Sequence, residues 1–270
     1  MLVAKNRNRE FSVRYLPGFS SVAVLCFVLL YAPIVALVIY SFNSGTNIAL
    51  WEGFSLQWYV IAWENELVQE VTFRSLIVAS IASVTATILA TMAALGTTRT
   101  RNYRGQMVIY AVINQPLMVP EIVTGVALLI FFAIIKAATG YHGLTYLVAA
   151  HTAFCIPFAY MPIRARLEGM DGILETAAQD LYATPIQTLR RITLPLLWPG
   201  ILAGLMLAFV ISLDDVVITE LVKSAGQDTL PTYMLGQLRR GITPEVNAIS
   251  SALLGASVLL VSIFFILRTR

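Results

Sequence analysis

Charge is what this chain lacks. Only 12% of its 270 residues are Asp, Glu, Lys or Arg, about half the ~25% of a typical soluble domain, and mean hydropathy is +0.77. A composition this apolar excludes a water-soluble globular domain and points to an integral membrane protein with little water-facing mass. Cysteine is nearly absent: Cys26 and Cys155 both fall in apolar runs and read as small buried hydrophobes, not as a disulfide or metal pair. His142 and His151 stand alone without ligand spacing, one reading as a loop residue and the other as a packed membrane residue, so no metal site is expected. There is no GxxxxGK[ST] loop, so ATP binding by that route is not encoded; with no GxSG or HExxH either, an intramembrane enzyme ranks low, and no catalytic residues or bound cofactor are expected. No basic stripe interleaved with aromatics speaks for nucleic acid.

Long hydrophobic runs are what the chain has. Six stretches are long enough to span a bilayer: about 20–42, 72–95, 106–136, 144–163, 199–222 and 246–267. The first follows Lys5, Arg7, Arg9 and Arg14; it is too long for a signal-peptide core and no small-residue cleavage site follows, so it reads as a retained membrane helix. The third carries Pro116 and Pro120, which predict a kink or break. Cytoplasmic loops hold the Lys/Arg excess. With the N-terminus inside, Lys5, Arg7, Arg9, Arg14, Arg99, Arg101, Arg104, Arg164, Arg166, Arg190, Arg191, Arg268 and Arg270 are cytoplasmic. Arg74, Lys136, Lys223, Arg239 and Arg240 then lie outside. The expectation is an all-α membrane protein of six transmembrane helices with both termini cytoplasmic: a cytoplasmic N-terminal segment over 1–19 and a single transmembrane domain over 20–270.

The first outer loop, 43–71, holds Trp51, Trp58 and Trp63, and Phe54, Trp58 and Ala62 repeat at helical spacing. This predicts a short interfacial helix in an aromatic belt, or a contact for an external partner. Ala86, Ala90 and Ala94 in the second span, and Ala248, Ser251, Ala252 and Gly255 in the sixth, form small faces that let helices approach closely.

The segment from Arg164 to Trp198 is the one long polar stretch between spans. Leu167, Met170, Ile173/Leu174, Ala177/Ala178 and Leu181 recur every three to four residues, an amphipathic helix signal. Thr184-Pro185 reads as an N-cap followed by proline at the first helical position, starting a second short helix that stops before Pro195. The expected picture is two short helices with a bend at Tyr182–Thr184.

Within this segment ETAAQDLYATPIQTLRRITLP, at 175–195, resembles the coupling motif of ABC importer permeases, with matches at Ala177, Ala178, Ala183, Ile192, Leu194 and Pro195. LYAPIVALVIYSFN at 30–43, MVPEIVTGVALL at 118–129, SLDDVVI at 212–218 and GITPEVNAIS at 241–250 resemble permeases of spermidine/putrescine importers, so the likeness covers nearly the whole chain. The resemblance implies a type I (binding-protein-dependent) importer permease fold in the bacterial inner membrane, with a cytoplasmic coupling helix between helices 4 and 5. It implies a second, homologous permease subunit, two cytoplasmic ATPase subunits that use ATP and magnesium, and an external solute-binding protein. The ATPase would dock on 164–197 through Glu175, Thr176, Ala177, Ala178, Asp180, Tyr182, Ala183 and Pro185. The family's motif glutamate falls at Thr176, beside Glu175, and its glycine at Tyr182. Either the turn geometry differs at Tyr182 or the tyrosine itself fills the ATPase groove.

Glu121, Asp214, Asp215 and Glu220 lie within predicted spans, where a carboxylate costs about 2.5–3.5 kcal/mol on insertion scales and so faces a path or a partner. Glu121 and Asp214 both fall roughly 22 Å from the inner surface, at about 1.5 Å per residue. Carboxylates at one depth suit a cationic substrate, and the resemblance implies a polyamine. Asp215 and Glu220 divide evenly between lining the path and satisfying neighbours such as Arg239 and Arg240. Glu245, after Thr243-Pro244, reads as a favourable charge at a helix start. Three further readings compete: an ion- or proton-coupled carrier titrating Glu121 and Asp214, an importer of another small amine or opine-like solute, and, weakest, an intramembrane enzyme.

Overall fold

The computed structural model describes residues 19–47, 50–100, 104–241 and 243–268. The segment before Phe19, and with it Lys5, Arg7, Arg9 and Arg14, lies outside the described residues, as do Arg101 and Arg270. The described residues are helical apart from connections and one isolated antiparallel bridge, Asn43 to Phe54. In order they form α1 (Phe19–Tyr40), α2 (Gln57–Glu64), α3 (Glu66–Thr98), α4 (Gln106–Met118), α5 (Glu121–Thr139) and α6 (Thr145–Glu168). Then follow α7 (Ile173–Asp180), α8 (Pro185–Thr188), a π-helical turn (Leu189–Thr193), α9 (Leu194–Asp214), α10 (Val217–Val222), α11 (Leu230–Arg240) and α12 (Pro244–Arg268). Among the described residues, five stretches are long and apolar enough to cross a membrane: Ser20–Tyr40, Glu66–Thr98, Glu121–Thr139, Thr145–Glu168 and Pro185–Asp214. α12 is a sixth long helix, of 25 residues.

Two compact units divide the chain. One comprises the described parts of Met1–Ala62 and Ile242–Ala256. Its loop after α1 is organised by Asn43, 1% exposed: Nδ2 donates to Leu50 O at 2.6 Å, and Oδ1 accepts from the Glu52 amide at 2.9 Å and the Gly45 amide at 3.3 Å. One amide side chain thus replaces the backbone partners this loop lacks. Phe42 stacks on Phe54 at 5.4 Å. The interfacial helix expected around Phe54, Trp58 and Ala62 is α2, which starts beyond Phe54 at Gln57. Cys26 is exposed on α1 and not buried as expected; no residue of the most apolar window of Ser20–Tyr40 is buried among the described residues.

The second unit, Trp63–Gly241 with Ser257–Arg270, is built on α3, α6 and α9, which pack on one another. α3 starts on an N-cap, Asn65, whose Oδ1 accepts from the Leu67 and Val68 amides. Ala86, Ala90 and Ala94 are all fully buried in this core, so the small face of α3 packs within this chain. α9 answers with glycines. A Cβ at Gly204 would lie 2.7 Å from the Ala159 carbonyl oxygen, and one at Gly200 2.6 Å from Arg166 Cβ. Such contact of α9 with the backbone of α6 is how membrane helices gain packing without a hydrophobic drive. On α12 the small face divides: Ala248 is fully buried and Ser251 half-buried, whereas Ala252 and Gly255 are exposed.

Three boundaries differ from expectation. The predicted span 106–136 is two helices: Val119 is held extended (ψ 139°) ahead of Pro120, and α5 runs on to Thr139. The predicted span 199–222 ends at Asp214, and α10 is separate. The second loop helix does not stop before Pro195 but continues into α9 through the π turn, where the Leu194 amide reaches Leu189 O. A proline ring clashes with the carbonyl four residues back in a regular α-helix; the wider turn over 189–193 accommodates Pro195.

Candidate functional site

The polar segment after α6 is a bent, internally capped arm. Gly169 and Gly172 break the amphipathic pattern read over Leu167–Leu181, and Leu167 is fully buried at the end of α6. The Asp171 carboxylate then accepts the Ile173 amide at 3.1 Å and starts α7. α7 ends in a Schellman arrangement: the Tyr182 amide donates to Gln179 O at 2.9 Å and the Ala183 amide to Ala178 O at 3.0 Å. That motif needs a left-handed residue after the cap. Here it is Tyr182, φ 58°, the only positive-φ residue other than glycine among those described. A side chain there costs about 1–2 kcal/mol over glycine. The backbone of a glycine turn is therefore kept without the glycine. Thr184 then makes the expected cap: its Oγ1 accepts the Gln187 amide while Gln187 Oε1 accepts the Thr184 amide.

Glu175 fastens this arm to the bundle. Its Oε2 lies 3.1 Å from Arg99 Nε at the end of α3, and its Oε1 accepts from Thr193 Oγ1 at 2.8 Å in the π turn. Arg99 also donates to Met170 O at 3.2 Å. Thr176, at the motif position itself, bonds only back into its own turn, to Gly172 O. Ala178 is buried, Ala183 half-buried, and Ala177, Asp180, Tyr182 and Pro185 are exposed. Sequence reading missed Arg99 and Thr193 as partners of Glu175; Thr193 sits inside the recognised stretch, but Arg99 signalled only as a cytoplasmic charge.

The intramembrane acids meet where α9 breaks. Asp215 is buried and extended (ψ 132°), and its carboxylate turns forward: Oδ1 accepts the Ile218 amide at 3.2 Å, and Oδ2 accepts the Thr219 amide and hydroxyl, each at 2.8 Å. Asp215 thus caps α10. His151 of α6, 1% exposed, joins this knot, with Nδ1 2.8 Å from Ser212 Oγ and Nε2 2.9 Å from Thr219 Oγ1. Because the Thr219 hydroxyl donates to Asp215, the His151 Nε2 carries the hydrogen and donates to Thr219. His151, Ser212 and Thr219 were not foreseen as a network; Asp-x-x-Ile-Thr at 215–219 is a capping pattern hidden in an apolar run.

Glu121, the first residue of α5, lies in the neighbourhood of Asp215, as α5 packs on α10. A Cβ at Gly125, one turn on, would meet Leu221 at 2.5 Å. Asp214, the last residue of α9, is exposed and makes no hydrogen bond or ion pair among the described residues. Glu220 is in a different setting. Its carboxylate pairs with Lys223 Nζ at 2.5 Å and Arg239 at 3.8 Å, and Lys223 also meets Asp228 at 2.6 Å. Burial opposes the Lys223 ammonium, but Asp228 and Glu220 outweigh it and hold its pKa above the ordinary lysine value. Arg74 donates to Asp228 O at 2.9 Å, and Lys136 Nζ to Val222 O at 3.0 Å at the end of α10. These bonds bind Glu220 into an ion-pair cluster at one end of the unit.

A membrane bundle with a capped polar arm between α6 and α9, and acids gathered at a broken helix, defines a transport subunit. Residues 86–270 match the family described as "Binding-protein-dependent transport system inner membrane component", and the chain belongs to it. It is 38% identical over 238 residues to the putrescine transport system permease protein PotI of Escherichia coli (strain K12), covering 87% of this chain and 85% of that one. It is 35% identical over 232 residues to the spermidine/putrescine transport system permease protein PotC of Haemophilus influenzae, covering 86% and 89%. Among solved structures it resembles a bacterial ABC transporter that imports the acidic polysaccharide alginate (TM-score 0.67, 16% identity, 90% of each chain). It also resembles the MetNI methionine ABC transporter (TM-score 0.65, 17% identity, 78% of this chain and 97% of that one). The fold is that of an ABC importer membrane subunit, a non-catalytic transport component, and the ion-coupled carrier and intramembrane enzyme readings are set aside.

Proposed function

We propose that this chain forms half of the translocation path of an ATP-driven importer for a small organic cation, a polyamine such as putrescine or spermidine. Asp214 carries the reading. It is a carboxylate with no partner among the described residues, at the C-terminal end of a helix, where the macrodipole disfavours an anion and favours a cation. Glu121, the first residue of α5, is a second acid near this break in α9. Asp215 is committed to capping α10 and Glu220 to its ion pairs, so Asp214 and Glu121 are the acids left to meet an amine. The names of the PotI and PotC relatives support the substrate class.

In this reading the arm at 164–197 faces the cytoplasm, as do both termini. One of two partner ATPases docks there and supplies the energy of ATP and magnesium. A second, homologous permease subunit completes the path, and an external solute-binding protein delivers the amine across the inner membrane. The test is uptake of radiolabelled putrescine and spermidine by the assembled complex in proteoliposomes. Uptake should require lumenal ATP, and Asp214→Asn should raise the KM for the amine without changing assembly. Unchanged amine uptake by both Asp214→Asn and Glu121→Gln would sink the assignment of the path.

A further inference from the structure

Tyr182 stands in a backbone conformation that glycine adopts freely and tyrosine does not, and its side chain makes no contact that compensates it among the described residues. Its φ is 58°, and its side chain is 95% exposed, with no hydrogen bond or ring contact among the described residues. Strain of this kind persists where it serves a function, and the inference runs from the observed outlier to the role. Leu181 is 82% and Ile186 77% exposed, so the turn carries three large apolar side chains outward. The turn is not short of alternatives: its Schellman bonds and the Thr184 capping box hold it without help from the ring. The bend at Tyr182–Thr184 joins α7 to α8, after the end of α6 at Glu168 and before the apolar stretch that begins at Pro185. Asp180 on one side and Arg190 and Arg191 on the other, all exposed, give the patch the polar rim of a protein contact.

We propose that Tyr182 is the aromatic anchor by which this permease selects its own ATPase, its ring inserting into an apolar pocket of that subunit between Leu181 and Ile186. This rests on the docking of the ATPase at 164–197. Rigid aromatic side chains in fully desolvated pockets dominate binding energy, and a left-handed backbone projects the ring away from α7 where a glycine would offer no side chain.

The experiment measures ATPase affinity and amine-stimulated ATP hydrolysis for the purified permease complex carrying Tyr182→Gly, Tyr182→Phe, or a flexible linker in place of 173–187. Tyr182→Gly relieves the backbone, so the thermal midpoint should hold or rise while affinity falls at least tenfold; Tyr182→Phe should keep affinity within about twofold. A purely structural tyrosine would move stability and affinity together, which overturns the proposal. Full affinity in Tyr182→Gly with loss in the linker variant also overturns it, leaving docking at the loop intact. Loss as severe in Tyr182→Phe as in Tyr182→Gly assigns the contact to the hydroxyl and overturns the apolar anchor. Full coupling in the linker variant rejects docking itself.

Discussion

Asp214 and Asp215 are chain neighbours in opposite circumstances. Asp215 accepts three hydrogen bonds and is 6% exposed, whereas Asp214 accepts none among the described residues and lies open. The same substitution at the two positions therefore separates structure from transport. Asp215→Asn replaces an acceptor of two amides and a hydroxyl, and should cost about 1–3 kcal/mol, read as a lower thermal midpoint in detergent. Asp214→Asn should change stability by no more than about 0.5 kcal/mol and appear only in uptake kinetics.

Glu175 and Thr176 form a second such pair. Glu175→Ala leaves Thr193, 4% exposed, without its acceptor and frees Arg99 from its carboxylate. The expected loss is about 1–2 kcal/mol, with faster limited proteolysis between Gly169 and Thr184. Thr176→Ala loses only a bond to its own helix turn and should leave the cleavage rate unchanged.

Glycine substitutions should split by what they meet. Gly204→Ala drives a methyl toward the Ala159 carbonyl oxygen, 2.7 Å away, and should destabilise by about 1–3 kcal/mol. Gly96→Ala, where nothing lies within 4 Å, should be neutral or stabilising by up to about 1 kcal/mol. Differential thermal stability of the two variants in one detergent checks both.

His151→Leu removes the shared partner of Ser212 and Thr219 in a site only 1% exposed. Two hydroxyls lose a bond, and the expected cost is about 1–2 kcal/mol. The assigned tautomer has its own check: one-bond ¹⁵N–¹H coupling should be found at Nε2 of His151. A hydrogen found only at Nδ1 would reverse the donor order around Thr219.

What was legible in the sequence follows the range of each interaction. The long helices came from apolar runs, and the break at Pro120 from a rule acting between adjacent residues. The caps at Thr184 and Pro185 were readable for the same reason. Pro195 obeyed no such rule because the π turn ahead of it absorbed the clash. The break at Asp215 was hidden: two adjacent acids in an apolar stretch mark a polar spot, but hydropathy carries no mark of a carboxylate that turns onto the next turn. At Tyr182 the sequence offered a residue that disfavours a left-handed turn, and two Schellman bonds hold that turn all the same. The roles of Glu175 and His151 depend on partners from other helices, which spacing along one helix cannot reveal.

The π turn also has a mechanical consequence. Because it lets the helix pass Pro195 without stopping, Pro185–Asp214 runs as one rod of 30 residues, roughly 45 Å long at about 1.5 Å per residue. One end stands beside Tyr182 and the other carries Asp214. With no loop between Pro185 and Asp214, a displacement imposed at Pro185 has a continuous helical backbone to travel along, interrupted by the π turn and by Pro199, which removes one backbone donor. A proline stop at Thr193 would have put a joint there and let the motion die in the loop.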